Sequence, residues 1–152
     1  MKRRAPGLAA FALIGAGLAS PALRGTALPE ARTAPARANY MLNCMGCHIA
    51  DGSGAAGKVP TLRDSLVPLA SSAAGRRYLV EVPGAAQSVL SNLELARLLS
   101  WMVRNLSAQA VPPEFVDFTE SEVAGYRRTP LIDVRAERAR ILGNSLDRSR
   151  ND

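Results

Sequence analysis

Cys44-Met45-Gly46-Cys47-His48 holds both cysteines and the only histidine of the chain. Two thiols at this C-x-x-C-H spacing can each add to one vinyl group of a haem, and the adjacent imidazole then falls under the iron. Other uses of the same residues fit the rest of the chain less well. Structural zinc takes about four Cys/His ligands, and this sequence offers three, all within five residues. A reactive dithiol is open to any C-x-x-C, because the spacing depresses a thiol pKa, but that use calls for a βαβ context and the sequence has none. A disulfide between Cys44 and Cys47 would close a short, strained loop and leave His48 without a role. Covalent haem uses all three residues.

With this motif as anchor, the chain resembles a class I c-type cytochrome of the exported bacterial type between about Pro35 and Leu106, roughly half its length. The resemblance implies an all-α fold: a small helical domain around one covalently attached haem c, here followed by a short helical C-terminal extension. It implies thioether attachment at Cys44 and Cys47 and an axial iron bond from His48. In that family an aromatic residue four positions before the first cysteine, here Tyr40, packs on the last helix. A proline about a dozen residues beyond the histidine offers its carbonyl to the imidazole N–H, with a leucine close by. Val59-Pro60-Thr61-Leu62 is similar to that segment, which makes Pro60 and Leu62 candidate haem-pocket residues. Orienting one ring nitrogen as a donor presents the other to iron.

The residues before the motif predict export. Lys2, Arg3 and Arg4 form a positive start, Leu8 to Ala19 an apolar run broken only by Gly15 and Gly17, and small residues follow. This is the pattern of a signal peptide over residues 1–27, cleaved after Ala19 or Ala27. About twelve apolar residues are too few for a span that needs about twenty, so no stable transmembrane segment is expected. The implied location is periplasmic. Four of the positive charges lie before residue 28 with no acidic residue among them, so the formal charge of +6 falls to +2 for residues 28–152. A charge that mild is not a nucleic-acid footprint, which concentrates basic residues on one face. It suits redox partner proteins, whose encounters modest charge steers.

Residues 28–35 read as a Pro- and Ala-rich lead-in, with helix beginning after Pro35 and placing Ala36 and Tyr40 on one face. Asp51 to Gly57 is loop material, and Asp64 to Tyr78 reads as short helical pieces ending in Arg76-Arg77, a candidate pair for haem propionates. Val82-Pro83-Gly84 marks a turn. Ser91-Asn92-Leu93-Glu94 is a capping box, followed by an apolar stripe of Leu95, Leu98, Leu99, Met102 and Leu106. Trp101 on this helix resembles the family's aromatic that meets Tyr40. The cytochrome domain is thus expected over 36–106. Beyond it, 107–152 departs from the family, with a capping box at Thr119 to Glu122 and a Thr129-Pro130 start for a helix over Leu131 to Leu142. The extension is expected to wrap over the core or cover a partner, and residues from Arg148 to fray.

A second departure concerns the sixth iron ligand. Family members usually supply a methionine from the loop before the last helix, and residues 78–92 hold no Met, His or Lys. Met102 is the methionine distant from the proximal side. The expected function is single-electron transfer between a dehydrogenase or other redox partner and an acceptor, not catalysis. The alternatives are a haem protein with an open iron site, such as a gas sensor or weak peroxidase, and a permanent haem subunit of a larger redox complex.

Overall fold

The computed structural model describes residues 29–148, and among them there are eight α-helices and no strand beyond one isolated bridge between Ala55 and Val59. The fold is all-α. Residues 1–28, with the expected signal peptide, and residues 149–152 lie outside the described residues.

Helix α1 runs Pro29–Asn43, so the expected lead-in is helical instead over its described part, 29–35. The alanine-rich stretch after Pro29 favours helix. Pro35 within the helix removes one backbone donor, which the helix tolerates. Ala36 and Tyr40 share the buried face of α1. The single turn α2, Met45–His48, continues directly from it, with the Cys44 N–H donating to the Tyr40 carbonyl at 2.9 Å.

A turn-rich segment follows. Gly54 has φ +70°, and a Cβ there would lie 2.6 Å from the Val59 carbonyl oxygen, so glycine is required where the loop folds back on Val59-Pro60. Helices α3 (Leu66–Ala70), α4 (Ala73–Glu81) and α5 (Pro83–Ala86) come next. The expected turn at Val82-Pro83-Gly84 is therefore the start of a helical turn, with proline at its first position. Helices α3 and α4 approach so closely that a Cβ on Gly75 would sit 2.0 Å from the Leu69 carbonyl oxygen.

Helix α6, Asn92–Leu106, starts at the Ser91/Glu94 capping box: the Ser91 hydroxyl accepts from the Glu94 N–H and the Glu94 carboxylate accepts from the Ser91 N–H. Its stripe of Leu95, Leu98, Leu99, Met102 and Leu106 is buried throughout. Helix α1 packs on α6. There the Tyr40 and Trp101 rings meet with centroids 5.6 Å apart and planes tilted by 44°, a favourable aromatic geometry.

The segment after Leu106 belongs to the same core. Helix α7 spans Glu120–Tyr126 behind a capping box of Thr119 and Glu122, and α8 spans Val134–Arg148. Helix α7 packs on α6 and α4, and α8 on α3 and α4. Phe118, Val123 and Ile141 are buried in one apolar cluster with Tyr40 and the α6 stripe. The α8 start differs from the expected Thr129-Pro130. Asp133 caps it, its carboxylate accepting from the Ala136 N–H at 2.9 Å, and before it the Leu131 N–H donates to the Glu81 carbonyl. Among the described residues no helix is long and apolar enough to cross a membrane.

Candidate functional site

One cavity of about 330 Å³ lies between the N-terminal helices, the α3 to α5 segment, α6 and α8. Its size falls within the range of about 300–1,000 Å³ usual for small-molecule sites. Cys44, Cys47 and His48 line it, together with Pro60 and Leu62, and so do Leu95, Leu98, Leu99 and Met102 from α6. Residues far apart in sequence thus meet on one surface. The wall is overwhelmingly apolar, as a porphyrin ring requires.

Local geometry explains how the motif reaches this wall. The helix of α1 ends at Asn43 and α2 turns Cys44, Cys47 and His48 over a single helical turn, His48 N–H donating to the Cys44 carbonyl at 2.9 Å. Ile49 then adopts φ 48° and ψ 179°, a conformation that costs a β-branched residue about 1–3 kcal/mol. The Tyr40 hydroxyl holds that strained peptide, donating to the Ile49 carbonyl at 2.6 Å. Tyr40 therefore does more than pack on α6. It anchors the backbone immediately after the histidine.

His48 is the most informative side chain. Its Nδ1 is buried without a hydrogen-bond partner. Burial holds the imidazole below its ordinary pKa, and the Pro60 carbonyl acts in the opposite sense as an acceptor; its placement falls short of a formed bond, so the carbonyl biases the ring without satisfying Nδ1. A neutral imidazole beside an acceptor is the state in which histidine binds a metal, one nitrogen donating and the other offering a lone pair.

The two cysteines are free thiols. Burial, with the neighbouring Cys47, pushes the Cys44 thiol up to about 11. A reactive dithiol works through a depressed pKa, so Cys44 has the opposite character. Among the described residues no group of three or more His, Cys, Asp or Glu is arranged to hold a metal ion. A haem site needs no such group: the thiols would bond to the ring and, of these residue types, His48 alone would bind iron. Cavity, thiols, imidazole and unpartnered Nδ1 together fit that group.

The remaining sequence candidates separate. Met102 lines the cavity, whereas Met41 and Met45 do not. Arg76 and Arg77 do not line it either: Arg76 pairs with Glu122 and Arg77 with Glu81, both at salt-bridge distance. The propionate role expected of them has no geometric basis. Trp101 is partly buried against Tyr40 and lies outside the cavity wall.

Two contributions from the C-terminal extension escaped sequence reading. Val134 and Arg138 of α8 line the cavity. Arg127, at the end of α7, grips the loop between α5 and α6, donating to the Ala86 carbonyl at 2.8 Å, the Leu90 carbonyl at 2.5 Å, and the Ser88 carbonyl. Ser88 and Leu90 are cavity residues, so Arg127 braces the wall from behind. No local signal marks either arginine, since both act across long sequence separations.

In comparisons with protein-family models, with curated proteins and with solved structures, none matched this chain.

Proposed function

We propose that this chain is an exported, periplasmic c-type cytochrome similar to class I members, carrying single electrons between a dehydrogenase or other redox partner and an acceptor. Haem c is held by thioether bonds to Cys44 and Cys47 and by an iron bond from His48. The observation that carries this reading is the convergence of both thiols and the sole imidazole, its Nδ1 buried and unpartnered, on one apolar cavity.

When bound, haem supplies one-electron iron chemistry. The chain's residues do the rest. Pro60 biases the His48 ring so that Nε2 is left for iron. The leucines of α6 and Leu62 exclude water, which limits solvent rearrangement between oxidation states. Met102 is the only methionine lining the cavity among the described residues, and as a second iron ligand it would favour a closed carrier site over an open sensor or peroxidase site. A peroxidase would also need a distal acid or base, and the chain's one histidine is committed to the proximal side.

The test is attachment. Expressed with c-type maturation machinery, the full chain should yield haem that acidified organic solvent does not extract, with the alkaline pyridine spectrum of two saturated thioether bonds. Cys44→Ala/Cys47→Ala protein should release any haem it holds. Extractable haem in the wild type removes the covalent assignment.

A further inference from the structure

Among the described residues, Arg138 is the one cation lining the cavity apart from the titratable His48. It sits on α8, one helical turn after Val134, which lines the same wall. Other arginines of this region are neutralised: Arg76 by Glu122, Arg77 by Glu81, Arg104 by Asp117 and Arg140 by Glu137. The acidic neighbour on its own helix, Glu137, is thus already engaged by Arg140. Arg138 has neither an ion pair nor a side-chain hydrogen bond among the described residues and is half-buried, whereas Arg135 on the same helix, also unpaired, is exposed to solvent. Its charge reaches inward nonetheless. Burial raises the Tyr78 hydroxyl pKa, and Arg138 is the group that opposes the rise; Tyr78 too lines the cavity.

A half-buried guanidinium against an apolar wall is costly unless an anion meets it. Its planar fork matches a carboxylate through two parallel hydrogen bonds, which a lysine cannot reproduce. We infer that Arg138 is the receptor for a carboxylate of the cavity's ligand, so that the C-terminal extension, through α8, completes the binding site. On the haem reading above, on which this inference rests, that carboxylate is a haem propionate. The extension then becomes part of the site in place of an appendage, and the positive charge beside the ring disfavours the ferric state.

The test uses the full-length, haem-loaded protein as wild type, Arg138→Gln, Arg138→Lys and, as a control on the exposed face of α8, Arg135→Gln. Covalent haem content is measured first. Resonance Raman then reads the propionate bending band, and a redox titration reads the potential. Arg138→Gln should move the band and lower the potential, seen as a several-fold rise in the ferric-to-ferrous ratio at fixed applied potential. Arg138→Lys keeps the charge, so the potential should stay near wild type while the band still moves; this variant decides the matter if the Gln variant does not fold. Arg135→Gln should change neither. Haem-loaded Arg138 variants with wild-type bands overturn the inference and leave the haem reading intact. A potential shift shared by Arg135→Gln, with no movement of the band in either Arg138 variant, overturns it as well, since it reports only general charge. Wild-type protein without covalent haem removes the cytochrome reading itself, and this inference with it.

Discussion

Arg76 on α4 donates to both carboxylate oxygens of Glu122 on α7, through Nε and Nη2 at 2.6 Å each. The same guanidinium lies 3.9 Å from the centroid of the Phe118 ring and donates to the Val116 carbonyl at 2.9 Å. One side chain of α4 therefore holds three points of the C-terminal extension. Ser100 adds a second tie from α6, its hydroxyl accepting from the Phe118 N–H at 2.8 Å.

Breaking that contact should destabilise the whole molecule. Arg76→Met keeps the aliphatic stem and removes charge-assisted bonds worth about 2–3 kcal/mol. Urea melts followed by far-ultraviolet circular dichroism and by Trp101 fluorescence should shift together, as one cooperative unit. Two separated transitions in the wild type would show that the extension folds independently.

The Met102→Leu variant tests whether Met102 is an iron ligand. The swap conserves volume and should cost less than about 1.5 kcal/mol. Loss of the thioether should lower the reduction potential and let the ferrous form bind carbon monoxide, while the wild type stays inert. A wild type that binds carbon monoxide rapidly favours the open-site alternative instead.

At Gly75 space is the constraint. Because a Cβ would overlap the Leu69 backbone, Gly75→Ala must push α3 and α4 apart and should cost about 3 kcal/mol or more. A thermal melt matching the wild type would show that the two helices pack less closely than described.

Ile49 makes the opposite case. Glycine adopts its positive φ without strain, and the Ile49 side chain is 45% exposed, so little burial is lost. Ile49→Gly should be neutral or stabilising by up to about 1 kcal/mol. Tyr40→Phe, which strips the hydrogen bond holding that peptide, should cost about 1 kcal/mol. Denaturant midpoints of the two variants should therefore move apart, and movement in the same direction would contradict the strain.

The capping box of α6 carries a pH signature. The Ser91 hydroxyl, then its backbone N–H, hold the Glu94 carboxyl below the usual carboxylate range. A depressed folded-state pKa means stability that is present above the unfolded value and is lost as pH falls through the folded one. Ser91→Ala should cost about 1 kcal/mol near neutrality, and the gap to wild type should narrow in acid. A gap independent of pH would remove the carboxylate from the cap.

The sequence by itself determined what short-range chemistry encodes. The C-x-x-C-H spacing joins two thiols and an imidazole within one turn, the two capping boxes start α6 and α7, and the 3.6-residue stripe chooses the buried face of α6; each signal spans a few residues and needs no knowledge of the rest. The meeting of Tyr40 with Trp101 was legible through resemblance. The tertiary structure alone decided which charges compensate one another. Arg76 and Arg77 resemble propionate partners in sequence, yet carboxylates brought near by folding and by a helical turn claim them, while Arg138, ordinary in sequence, is left unpaired at the cavity wall. Arg127 braces a loop some 40 residues earlier, and the Leu131 N–H donates to the Glu81 carbonyl of α4. Such pairings depend on packing between segments distant in the chain. A guanidinium's partner is set by which carboxylate the core carries within reach, and no local pattern records that distance.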